Sequence, residues 1–127
     1  MTDKAHTKLG WIEYRGVPVL LVEMHNLDAD AYSKALRRFG DEIVAIGQGK
    51  KDKMLMMIEL KDNTTSAEVL RTYKEVVKKI EPYIKANAAT GIKGFRLHMM
   101  NFLKTRSPVE MRAFEAEEQA KEWLLTR

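Results

Sequence analysis

The chain has 127 residues, enough for one domain with its own core and short for two. Hydrophobic residues make up 45% and charged residues 31%, a globular mix, and 22 Lys+Arg against 18 Asp+Glu leave a net charge of +4 that permits an anionic partner without requiring one. The absence of cysteine excludes a disulfide framework, a thiol nucleophile and cysteine-ligated zinc or iron–sulfur centres.

Residues 1–9 read as a polar N-terminal arm, and residues 10–127 as a single domain. The opening MTDKAHTKLG lacks the apolar stretch of a secretory signal. No run approaches the roughly 18 apolar residues that span a bilayer. The expectation is a cytoplasmic protein that is not transmembrane.

Trp11–Tyr14 predicts a first strand and Arg15-Gly16 a turn. Val17–Met24 (VPVLLVEM) predicts a second strand, apolar on both faces and therefore buried on both. Asp28 is suited to cap a helix that buries Tyr32, Ala35, Leu36, Phe39, Ile43 and Ile46 at helical spacing. Gly47 and Gly49 end it. Gly40 lies inside it at a cost of about 1 kcal/mol relative to alanine, which points to close packing against a neighbour.

Lys50–Lys53 reads as a polar turn. Met54–Leu60 (MLMMIEL) predicts a third strand, central in the sheet. Thr65-Ser66-Ala67-Glu68 fits a capping box with Thr65 as the cap. The helix that follows buries Val69, Leu70, Tyr73, Val76, Val77 and Ile80, and Pro82 ends or kinks it.

Asn87–Ile92 predicts a short strand, and a third helix carries Phe95, Met99, Phe102 and Leu103. Met111–Phe114 alternates as a fifth strand, and a last helix begins near Ala116 or Glu117. The order β-β-α-β-α-β-α-β-α predicts an α/β fold: a five-stranded mixed sheet with four helices. Its first two strands should pair antiparallel at one end and the rest should be mainly parallel.

Three segments in this order carry a family resemblance. MLMMIELKDNTTSAEVL is similar to the apolar strand, acidic turn and helix start of the SpoIIAA-like, STAS-type family of small bacterial proteins. EPYIKANAATGIKGFRLHMMNFL and MRAFEAEEQAKEWL resemble two further blocks of the same uncharacterised branch. The match covers roughly residues 10–125. It implies a SpoIIAA-like fold, related to that of the anti-sigma factor antagonists and also to CRAL-TRIO lipid-transfer domains. In the antagonists a phosphorylatable serine directly follows an aspartate after the central strand. Asp62 fits that aspartate, but Asn63 stands at the phosphoacceptor position, with Thr64, Thr65 and Ser66 following.

The loop Asp62-Asn63-Thr64-Thr65-Ser66 is thus one candidate site, for phosphorylation or for an anion at a helix start, beside a plain capping role. A second is an apolar pocket under the third helix. Met99, Phe102 and Leu103 would line it, with Phe95 near its mouth, and Arg96 or Lys104 would meet an acidic headgroup. Met24, Met54, Met56, Met57, Met99, Met100 and Met111 suit adaptable core filling, an apolar cavity or a flexible dimer surface.

Glu23 and His25 share a strand face by period two, but neither they nor His98 have the spacing of a metal motif, so no metal and no cofactor are expected. Lys85, Lys93, Arg96, Lys104, Arg106 and Arg112 form a basic stretch without a nucleic-acid signature, and no nucleic-acid partner is expected. No Walker A, GxGxxG or GxSxG motif is present, so no enzyme activity is expected. The chain reads as a non-catalytic module that binds a protein partner, itself as a homodimer, or a small apolar ligand such as a lipid. The alternative is a phosphorylation-switched regulator.

Overall fold

The computed structural model describes residues 4–91 and 109–127. Strand β1 (His6–Tyr14) and strand β2 (Val17–His25) form an antiparallel hairpin. Arg15 and Gly16 join them, both with positive φ (51° and 81°), the backbone that a two-residue hairpin matched to strand twist requires. Helix α1 (Ala29–Gln48) follows, then strand β3 (Met54–Lys61) and helix α2 (Ala67–Ile80). A 3-10 turn at Glu81–Tyr83 absorbs Pro82 and leads into strand β4 (Ile84–Thr90). Strand β5 (Glu110–Phe114) and helix α3 (Glu117–Leu125) close the chain.

The sheet has the spatial order β1-β2-β3-β4-β5, with β2 to β5 parallel and β3 in the centre, as the alternation of strands and helices predicts. Helices α1 and α2 pack side by side on one face, over Leu20, Val22, Met24, Met56, Ile58 and Leu60. Helix α3 covers the other, placing Ala120 and Leu124 against Val19, Leu21, Met57, Ala86 and Ala88. Met56 and Met57 therefore serve opposite cores. Met24, Met54, Met56, Met57 and Met111 are all buried, which fits the core-filling reading; Met99 and Met100 lie outside the described residues.

Gly40 is where α1 and α2 meet. A Cβ there would lie 3.2 Å from Val76 Cγ1, so the missing side chain lets the helices approach. The parallel strands end alike. Asn26, Asp62 and Gly91, each just past the end of β2, β3 and β4, have φ of 58°, 55° and 78°. A side chain at Gly91 would overlap the Leu60 carbonyl, so glycine is required there.

Four sequence expectations are corrected. The described residues hold three α-helices, not four, in the order β-β-α-β-α-β-β-α apart from the 3-10 turn; the expected third helix falls outside them. The first strand takes in the end of the arm, because His6 to Gly10 pair with Leu21 to His25 across the hairpin. Strand β4 begins at Ile84, not Asn87. Its residues have weak strand propensity, but Ala86, Ala88 and Ala89 are fully buried, and small side chains let the covering elements close on it. The cap of α2 is Ser66, not Thr65: Ser66 Oγ accepts from Val69 N–H at 3.1 Å. Asp28 caps α1 as expected, accepting from Ala31 N–H at 2.8 Å.

Candidate functional site

The loop after β3 is a structural clamp. Asn63 is 1% exposed; its Oδ1 accepts from Leu27 N–H at 3.0 Å and its Nδ2 donates to the Met24 carbonyl at 2.8 Å. Thr64 N–H donates to the Leu27 carbonyl at 2.8 Å. These bonds tie the β2–α1 link to the β3–α2 link. The position after Asp62 is thus a buried amide that anchors backbone and has no hydroxyl to modify. Asp62 and Thr64 are exposed, Thr65 is half-buried, and Ser66 is engaged as a cap.

Phe95, Arg96, Met99, Phe102, Leu103 and His98 lie outside the described residues, as does the pocket expected among them. The apolar space that the described residues enclose is a cavity of about 40 Å³ between the sheet and the α1–α2 pair, bordered by Val22, Met24, Phe39, Met56, Tyr73 and Val76. Small-molecule pockets start near about 300 Å³, so this is a packing void and not a ligand site.

Two polar regions stand at opposite ends of the strands. At the starts of β2 and β3, an open groove of about 360 Å³ runs between Trp11 and the α1–β3 turn. Lys50, Lys51, Lys53, Lys85 and Arg127 line it against a single acid, Asp52. Trp11 is the one large hydrophobic side chain exposed among the described residues, at 43%, and the Lys50 ammonium sits 4.7 Å from its ring centre. Lys85 Nζ donates to the main-chain oxygen of Arg127 at 2.7 Å, and the Arg127 guanidinium pairs with Glu110 at 2.7 Å, so the far wall is held in place.

At the carboxyl ends of the strands, on the face that α3 covers further down, lie Glu23 and His25 of β2, Glu59 of β3 and His6 of β1. Parallel pairing sets Glu23 directly beside Glu59. His25 Nε2 is 3.0 Å from Glu59 Oε1, His6 Nε2 is 3.4 Å from Glu23 Oε1, and the two imidazole rings are 5.0 Å apart. Lys61 Nζ reaches Glu59 Oε1 at 3.5 Å. Glu23, His25 and Glu59 are each more than four-fifths buried. The close approach of His25 Nε2 to Glu59 lacks hydrogen-bond geometry: the nitrogen is sealed from solvent without a hydrogen-bond partner.

Period two on β2 finds Glu23 and His25 in the sequence. It does not find Glu59, whose approach depends on the β2–β3 register, or His6, which the sequence assigns to an arm. The groove was equally hidden, because Trp11 and the Lys50–Lys53 turn meet only across the sheet.

A single sheet of one antiparallel hairpin followed by parallel strands, with two helices on one face and the C-terminal helix on the other, is a SpoIIAA-like fold. The chain is similar in structure to an uncharacterized protein of the DUF3478 family from Shewanella loihica PV-4, with a TM-score of 0.71 over 98% of each chain at 16% sequence identity. That likeness shows the fold which the sequence resemblance implied. No family model and no curated protein matches the chain. Among the described residues, no helix is long and apolar enough to cross a membrane.

Proposed function

We propose that the protein is a non-catalytic SpoIIAA-like module that binds an acidic segment of a protein partner in the groove beside Trp11. The observation that carries this reading is the joining of one exposed tryptophan to Lys50, Lys51 and Lys53, with Asp52 among them and the engaged Lys85 and Arg127 on the far wall, in a concavity of about 360 Å³. Tryptophan supplies a large rigid contact area, and clustered lysines select carboxylates and speed encounter. A wall of flexible lysine stems around an indole suits an extended peptide, whose side chains stack on the ring while its acids meet the ammonium groups.

The test is an NMR titration with glutamate- and aspartate-rich peptides, with and without an aromatic residue. Shifts should concentrate on Trp11, Lys50–Lys53 and Lys85, weaken as salt is raised, and vanish in a Lys50→Glu/Lys51→Glu/Lys53→Glu variant. Shifts confined to other surfaces, or binding of single-stranded nucleic acid or anionic vesicles in place of the peptides, would overturn the reading.

A further inference from the structure

We propose that Glu23, His25 and Glu59, with His6 beside Glu23 at the rim, form a binding site for one divalent transition-metal ion, with zinc the ion that fits best. The site lies at the carboxyl ends of β2 and β3, at the opposite end of the strands from the groove, and is independent of it.

Four observations converge. The first is chemical: two carboxylates and an imidazole are a donor set for zinc and its first-row neighbours, whereas magnesium and calcium prefer oxygen donors throughout. The second is geometric. One donor atom from each of Glu23, His25 and Glu59 lies within 4.8 Å of the others. His25 Nε2 lies 3.0 Å from Glu59, near the edge of about 3.3 Å that a tetrahedron of zinc–ligand bonds near 2.0 Å requires, and His6 Nε2, outside that group of three, lies 3.4 Å from Glu23.

The third observation is electrostatic. Parallel pairing holds two carboxylates side by side in a largely buried row, an arrangement that costs stability without a cation to share. Lys61 supplies one charge, on Glu59 alone and from a side chain that is 57% exposed. An ion between the carboxylates answers the repulsion directly.

The fourth is polar satisfaction. His25 Nε2 is sealed from solvent and makes no hydrogen bond, although it faces a carboxylate at close range. In the Nδ1–H tautomer that nitrogen presents its lone pair to Glu59, and a metal ion between the two would be ligated by both. Thr90, next in the row beside Glu59 and only 3% exposed, also has a hydroxyl without a hydrogen-bond partner. Two unsatisfied polar groups on one patch of sheet face, beside two carboxylates, are explained together by a ligand there. The strand positions before Glu23, Glu59 and Thr90 on this face, Leu21, Met57 and Ala88, are apolar and packed.

The test uses the full chain without an affinity tag, stripped with chelator. Calorimetric titration with zinc should give one equivalent, bound more weakly as the pH falls because protons compete for the donors. Cobalt in place of zinc should give the intense visible bands of a four- or five-coordinate site. Glu59→Gln, nearly isosteric, and His25→Ala should each weaken zinc binding by more than the roughly tenfold to hundredfold that an outer-shell partner costs. His6→Ala should weaken it by roughly tenfold. No stoichiometric uptake by the unaltered chain, a weak octahedral cobalt spectrum, or uptake that survives both His25→Ala and Glu59→Gln would overturn the proposal. Uptake lost only in His6→Ala would do so too, by placing the ion on the N-terminal residues. Because the cobalt spectrum is read on the unaltered chain, a variant that fails to fold does not shield the proposal.

Discussion

On the face beneath α1 and α2, the strands are apolar from end to end: Leu20, Val22 and Met24 on β2, and Met54, Met56, Ile58 and Leu60 on β3, all buried. On the face beneath α3 the same two strands begin alike, with Val19, Leu21 and Met57, and then change to Glu23, His25 and Glu59 two residues further on. On these two strands the first face meets the needs of a core throughout its length. The second meets them for half its length and then carries ionisable groups at a cost. Where a strand stops following its own apolar pattern while remaining largely buried, the residues serve something other than packing.

The strongest way to break this contrast is to exchange the chemistry of adjacent positions. Ile58→Asp places an unpaired charge in the sealed core and should cost about 4 kcal/mol or more in urea denaturation. Glu59→Gln, its neighbour on the opposite face, should change the metal-free protein by less than about 1 kcal/mol, because the loss of the Lys61 contact is offset by relief of repulsion from Glu23. Equal losses at the two positions would erase the distinction between the faces.

Asn63 ties together the two links that deliver α1 and α2 to the first face. Asn63→Ala strands a buried N–H and a buried carbonyl and should cost about 3 kcal/mol, measured as a shift in denaturation midpoint. A shift within error would show that the clamp does not organise that face. The cap of α2 gives a smaller effect: Ser66→Ala should cost about 1 kcal/mol and Thr65→Ala less than about 0.5 kcal/mol. The reverse ranking would return the cap to Thr65.

The second face depends on how α3 is held. Tyr14 Oη donates to Glu122 Oε1 at 2.7 Å, and Arg15 pairs with the same carboxylate at 2.9 Å. The hydrogen bond to Glu122 raises the Tyr14 phenol from 10.0 to about 12. The phenol keeps its proton longer in the folded chain than in the unfolded one. Its contribution is therefore complete below pH 10 and is lost as the pH rises through about 12. Phenolate absorbance should show one late-titrating tyrosine that disappears in Tyr14→Phe, and amide exchange in α3 should quicken over the same range. An unchanged titration curve in the variant would show that the Tyr14–Glu122 hydrogen bond does not hold α3.

The sequence was legible wherever one element's own pattern settled the matter. Continuous apolar runs placed β2 and β3. Helical spacing and Asp28 placed α1, and Gly40 marked the helix contact that Val76 fills. It was misleading where neighbours decide. Ile84 to Ala86 become strand because β3 and β5 pair with them, and His6 to Leu9 become strand because β2 does. Thr65 and Ser66 have the same capping chemistry, and only the path of the loop after the Asn63 clamp selects between them.

What the sequence by itself determined is the α/β class with its five-stranded mixed sheet, the central place of β3, and the division of Met56 and Met57 between opposite faces. These follow from local periodicity, which backbone geometry converts directly into faces. Tertiary structure alone decided the two polar regions. Trp11 and Lys50 are 39 positions apart, and Glu23 and Glu59 are 36 apart. Each pair meets only through the register of strands brought together by a helical crossover, and no property of either residue records that register before the sheet forms.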